Sequence, residues 1–201
     1  MTGESESTKL YLQTKFSRDM FDRLRRIRTG EDMNFLKGLL AFIAMLFVST
    51  VLFLLYMKSH DGPIEIFSGG PFQSGTLVTG PEPDWNEIKD LDTFQFQLIN
   101  PPRSRTTWLA VHEGRLFTPS SYMKSPIGKI WKKWPHQAVK DGSALLRIGD
   151  KIYERQMIRI PADSDVVSPV LQEFDRKYHI GTEVEHVKNG NTWLFELAPK
   201  R

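Results

Sequence analysis

From residue 39 to residue 57 the chain reads LLAFIAMLFVSTVLFLLYM, with no charge, proline or glycine. A helix of that length rises roughly 28 Å, close to the hydrocarbon thickness of a bilayer. Ser49 and Thr50 are its only polar side chains before Tyr56, and their hydroxyls can bond back to the helix backbone. The pattern changes abruptly afterwards. Thr93–Ile99 (TFQFQLI) alternates apolar and polar residues, as a half-buried strand does. Arg105–His112, the turn Glu113-Gly114 and Arg115–Pro119 read as a hairpin. Ser143–Gly149 and Lys151–Ile160 are strands joined at Gly149-Asp150, and Thr192–Leu197 is a last strand.

Helical signals lie between the strands. Asp84 caps a short helix over 85–90, with Glu87 placed for a capping box. Residues 126–139 hold a helix that Pro135 bends or stops. Asp163 or Ser164 caps a helix over about 165–179 carrying Leu171, Phe174 and Tyr178. Residues 58–70 form a linker with a first strand in it. The pattern therefore predicts a mainly antiparallel β-barrel of six or seven strands with helices outside. The domains are a basic tail (1–34), a transmembrane helix (35–57), a linker (58–71) and a folded domain (72–201).

Charge adds an orientation. Eight basic residues from Lys9 to Lys37 precede the apolar run, and Lys58 alone follows it closely. The bias predicts a single-pass protein with a cytoplasmic N-terminus and an extracytoplasmic domain, periplasmic in a Gram-negative bacterium. The long basic stretch, with no small-x-small site after the run, favours an uncleaved anchor over a signal peptide. Phe16, Met20, Leu24 and Ile27 fall at helical spacing among basic residues. That stretch reads either as an interfacial helix on anionic lipid or as an ordinary orienting tail.

Several chemistries are excluded. The chain has no cysteine, which removes disulfides, zinc–thiolate sites and thiol nucleophiles. It has no dinucleotide-binding or phosphate-loop glycine motif and no nucleophile elbow. The histidines are scattered, so no metal site is expected. Glu183 and Glu185 would share a face on a strand, as a solvated pair. The net charge of +3 is modest, and the basic patch is too short to suggest nucleic acid.

Residues 103–134 carry the most chemistry. Arg103, Arg105, Lys124, Lys129, Lys132 and Lys133 are interleaved with Tyr122, Trp131 and Trp134, and Ser120, Ser121 and Ser125 add hydroxyls. The cluster reads as a phosphate site beside an aromatic ring, or as a solvated basic helix with its tryptophans packed on the barrel.

The order of RTTWLAVHEGRLF, SSYMKSPIGKIWKKWPHQ and SALLRIGDKIYERQMIRI resembles the flavin-binding split-barrel superfamily. That group includes pyridoxamine-phosphate-oxidase-like proteins and deazaflavin-dependent nitroreductases. The resemblance covers about residues 72–197 and implies a split barrel, a homodimer and a bound FMN or related flavin or deazaflavin. By the same resemblance Arg105, Ser121, Lys124 and Lys129 would meet the cofactor phosphate, while Trp131 or Trp134 would pack structurally or cover the ring. The GPEPDW segment and Pro135 depart from the pattern. Three functions follow as expectations: a membrane-anchored flavin-dependent redox protein of unknown substrate, a cofactor-free interaction module at the membrane surface, and, last, a hydrolase or binding protein for an anionic small molecule.

Overall fold

The computed structural model describes residue 11 and residues 14–22, 30–181 and 183–200. The chain divides into two compact units, residues 1–53 and 54–201.

In the first unit, residues 14–22 are helical. A helix, α1, follows over Gly30–Ser59 and continues into the second unit. Its stretch Met33–Ser59 is long and apolar enough to cross a membrane. Thr50 donates its hydroxyl to the carbonyl of Leu46, the local satisfaction its place in an apolar helix calls for. The predicted interfacial face is described at Phe16 and Met20; Leu24 and Ile27 lie outside the described residues.

The second unit is a curled antiparallel sheet with helices against it. Its strands are β1 (Thr76–Leu77), β2 (Thr93–Leu98), β3 (Arg103–Trp108), β4 (Ala110–His112), β5 (Arg115–Ser120), β6 (Ser143–Ile148), β7 (Lys151–Arg159) and β8 (Trp193–Pro199). The sheet order is β3-β2-β6-β7-β8-β5-β4, and β1 lies parallel to the start of β7. Only Leu109 separates β3 from β4. One bent strand thus supplies both ends of the order, pairing with β2 through its first half and with β5 through its second. A hydroxyl contact of 2.9 Å between Thr107 and Thr118 ties β3 to β5, the neighbour of the other end. The seven antiparallel strands make the barrel the pattern predicts, in the split form the resemblance implies, and β1 is a short parallel addition to it.

Alternation fills the barrel. Phe94, Phe96 and Leu98 of β2 point into one core with Leu146, Phe195 and Leu197. A second core packs Val170, Leu171 and Phe174 against Phe117 and Leu194. The tight turns follow from backbone sign. Glu113 and Gly114 both have positive φ, 50° and 69°, as a two-residue hairpin loop between twisted strands requires.

The helices are short. A single turn, Trp85–Ile88, stands where the helix over 85–90 is expected; the Asp84 side chain accepts from the amide of Asn86. The predicted helix over 126–139 is two helices, α2 (Pro126–Trp131) and α3 (Trp134–Lys140). Pro135 sits in the first turn of α3, so it opens the second helix and does not stop the first; a proline there forfeits no helical hydrogen bond. Helix α4 covers Val167–Tyr178, and neither Asp163 nor Ser164 caps it by side chain. Glu185 lies in a helical turn, α5 (Val184–Lys188), and Glu183 is the residue before it, so the two do not share a strand face.

The linker is more structured than its glycines suggest. Ile64 bridges Phe67, and Gly69 bridges Ser104 of β3, in place of a first strand. The GPEPDW segment is a strap over β7. Nη1 of Arg155, a residue 2% exposed, donates to both carboxylate oxygens of Glu82, at 2.8 and 3.0 Å. The same guanidinium lies 4.8 Å from the ring of buried Trp85, whose indole N–H donates to Glu82.

Candidate functional site

A cavity of about 410 Å³ opens between β3 and the junction of α2 with α3. Arg105, Thr106 and Thr107 form one wall. Trp131, Lys132, Lys133 and Trp134 form another, and Ile66 and Ser68 of the linker close a third side.

Each wall has a local cause. Strand β3 is fixed by its register with β2, where Arg105 pairs with Phe96, and by the bend at Leu109. Helix α2 starts at Ser125, whose hydroxyl accepts from the amide of Gly128 at 2.9 Å. Gly128 must be glycine here: a Cβ would come 1.8 Å from the carbonyl oxygen of Tyr122. The break between α2 and α3 falls on Lys132 and Lys133, which places both in the cavity wall. Trp134 packs edge-on to Phe96, with ring centroids 5.1 Å apart, and so joins the wall to the core.

The electrostatics of the cavity are one-sided. Among the described residues, Arg115, Arg147, Arg155 and Arg176 each have a carboxylate partner. Arg105 has none; its one hydrogen bond runs from Nη1 to the carbonyl of Arg103 at 3.3 Å. Burial, with the neighbouring Arg103 charge, holds its guanidinium at about 10, below the ordinary 12.5. It stays protonated at neutral pH. Burial also lowers the Lys132 ammonium. Three cations thus line the cavity, and among the described residues its wall holds no carboxylate. A neighbouring cavity of about 640 Å³ shows the contrast. Its Arg147 meets Asp61 at 2.9 Å and Gln95 at 2.6 and 2.8 Å, so its charge is already answered.

Of the residues named from the resemblance, Arg105 lines the cavity, while Ser121, Lys124 and Lys129 do not. Ser121 is half-buried and accepts from the hydroxyl of Thr192 at 3.3 Å. Lys124 and Lys129 are exposed. Ser125, another hydroxyl of that cluster, is used in capping. The threonines at 106 and 107 and the linker residues at 66 and 68 carry no charge or motif that marks them in the sequence. Among the described residues, no group of three histidines and acidic residues is placed to hold a metal ion.

No family model and no curated protein matches the sequence. Solved structures do match. A candidate pyridoxamine 5'-phosphate oxidase from Listeria innocua is 12% identical, with a TM-score of 0.40 over 57% of this chain and 88% of that one. HutZ, the heme storage protein of Vibrio cholerae, is 13% identical, with a TM-score of 0.41 over 60% and 90%. The conserved hypothetical protein Rv2991 of Mycobacterium tuberculosis is 13% identical, with a TM-score of 0.43 over 62% and 82%. These are likenesses of fold; the barrel itself rests on the strand pairing described above.

Proposed function

We propose that the barrel binds a phosphorylated, planar aromatic cofactor of the flavin or deazaflavin class and acts in redox chemistry beside a membrane. The observation that carries this reading is Arg105: a half-buried cation without a carboxylate, sharing a cavity with two lysines and two tryptophans. A cation taken from water without a counterion costs stability. An anionic ligand removes that cost. The volume of about 410 Å³ falls in the ordinary range for small-molecule sites.

The roles divide by chemistry. Arg105 and Lys132 would hold the phosphate, the first as a planar fork of donors and the second as a point charge. Thr106 and Thr107 offer hydroxyls, although Thr107 is also engaged with Thr118. Trp131, 67% exposed, is free to lie against a flat ring. The cofactor, when bound, supplies the hydride or electron chemistry. No side chain in the wall is a histidine, aspartate or glutamate, so the protein's part is to bind and orient. An iron porphyrin fits less well, because the wall offers no histidine, methionine, cysteine or tyrosine as an axial ligand.

In this reading α1 spans the membrane, the N-terminus is cytoplasmic and the barrel is extracytoplasmic. A second reading is a cofactor-free interaction module. It is favoured by the exposed apolar rim of the cavity, Ile66 at 81%, Ile130 at 75% and Trp131. A second copy of the chain is the expected occupant of that rim. Absorbance of the purified full chain in detergent, followed by FMN and deazaflavin titration, separates the two. Saturable micromolar binding supports the cofactor reading. A colourless protein that ignores both cofactors supports the interaction module.

A further inference from the structure

Beyond α1 the exposed apolar surface is concentrated in one place. Ile66, Ile130, Tyr122 and Trp131 are 81%, 75%, 68% and 67% exposed, and among the described residues no other large apolar side chain past α1 exceeds 53%. Ile66, Ile130 and Trp131 lie on the rim of the cavity that holds Arg105. Tyr122 stands at the head of α2, where its carbonyl accepts from the Ser125 hydroxyl at 2.9 Å. Residues 121–140, which carry three of these four side chains, hold five lysines and no acidic residue. Glu65 is the acidic neighbour of Ile66.

The rim is also bound closely to the end of α1. The last turn of that helix belongs to the same compact unit as the barrel. Gly70 packs on it so tightly that a Cβ there would come 2.5 Å from the carbonyl oxygen of Lys58. The Gly70 amide donates to the carbonyl of His60 at 2.9 Å, and the Gly70 carbonyl accepts from the Ser104 hydroxyl of β3 at 2.6 Å. Residues 60–70 are thus a closed loop clamped between the last turn of α1 and β3. Ile66 stands four residues before Gly70. Its Cα therefore lies within about 14 Å of that clamp.

We infer that the cavity rim, with Ile66, Ile130 and Trp131 among the upper acyl chains and Lys129, Lys132 and Lys133 among the phosphates, is seated in the interfacial layer of the membrane that α1 enters. This rests on reading α1 as a membrane span and on no particular cofactor. Three features choose lipid. The clamp keeps the rim at the end of the span, so seating it needs no separate encounter and a small apolar area suffices. Lysine buries its stem while its ammonium stays among lipid phosphates, and tryptophan suits the same layer. A second copy of the chain, the occupant under the interaction-module reading, would set these lysines against their own duplicates.

The chain has no cysteine, so single probes can be placed. Full chains carrying Ile66→Cys, Ile130→Cys, Ser49→Cys in the apolar run, or Glu185→Cys on α5, are labelled with an environment-sensitive dye. Each is reconstituted in nanodiscs of phosphatidylcholine and phosphatidylglycerol, with and without bromine on the acyl chains. The expected result is a blue-shifted probe at 66 and at 130 that bromine quenches, strong quenching at 49, and neither effect at 185. Quenching at 49 with positions 66 and 130 behaving like 185 overturns the inference and leaves the span intact. A blue shift at 66 and 130 that bromine does not quench also overturns it, because protein then covers the rim. No quenching at 49 overturns the membrane-span reading, and the inference with it.

Discussion

The hydroxyl of Tyr178 lies 3.0 Å from both the amide nitrogen and the carbonyl oxygen of Leu109. Leu109 is the residue at which one strand bends from β3 into β4, so its backbone groups leave the ladder there. The Tyr178 hydroxyl accepts from that amide, and the ammonium of Lys177 donates to the carbonyl at 3.1 Å. Trp108 stacks on Tyr178 with ring centroids 4.9 Å apart. The end of α4 therefore holds the bend that aims β3, and with it Arg105.

Tyr178→Phe removes the acceptor and leaves the Leu109 amide unpaired. The expected loss is about 1–3 kcal/mol of stability. Denaturant unfolding checks the magnitude. Amide exchange checks the place: the Leu109 amide should lose protection more than the amides of β7. A uniform loss would assign Tyr178 to general packing.

Glu82→Gln should be costly for a surface residue. Glu82 is itself partly exposed, but it is the carboxylate for Arg155, which is buried. Removing one partner of such a pair leaves an uncompensated charge, and with Glu82 partly screened by water the expected cost is about 2–3 kcal/mol. Glu82→Gln combined with Arg155→Met should recover much of it. If the single variant melts with the wild type, the strap is not held by this pair.

The acid limb of stability should carry a contribution from Asp61. Burial raises its carboxyl, but hydrogen bonds from Ser74, Gln73 and Arg147 outweigh this and hold it at about 2, below the ordinary 3.8. A depressed carboxyl stabilises the fold above its unfolded value, and that share is lost as pH falls through the folded value. The window is therefore from about pH 4 down to about pH 2. Asp61→Asn should flatten the stability profile across that window and leave it unchanged in shape from pH 5 to 7. Chemical denaturation at several pH values reads this slope.

Much of the barrel was legible in local pattern. The alternation of TFQFQLI and KIYERQMIRI follows from burying one strand face, and the Glu113-Gly114 turn follows from its need for positive φ. What was not legible depends on tertiary partners. β1 is two residues long, and it pairs with β7 where Gly75, at positive φ, passes close to Ile152. The break at Lys132–Lys133 depends on Trp134 packing against Phe96 and Phe195. The site was legible in its charge and not in its wall. Arg105 stood out by residue type, but Ile66, Ser68 and Thr106 reach the cavity through the fold of the linker and the register of β3.

Arg105→Met should stabilise the ligand-free barrel. The folded state lowers the guanidinium to about 10, so it disfavours the protonated form, and below pH 10 this opposes folding. Methionine keeps the aliphatic stem and removes the charge, for an expected gain of about 0.5–2 kcal/mol. A thermal melt at pH 7 without ligand should show a higher midpoint than the wild type.

The most direct measurement is FMN affinity of the full chain in detergent, wild type against Arg105→Met, by equilibrium fluorescence titration. Loss of a charge-assisted contact to the phosphate predicts affinity about 10- to 100-fold weaker in the variant. Riboflavin, which lacks the phosphate, should distinguish the two proteins far less. Equal FMN affinity in both, or no binding by the wild type, would contradict the assignment of Arg105 as the anion-binding residue of this cavity.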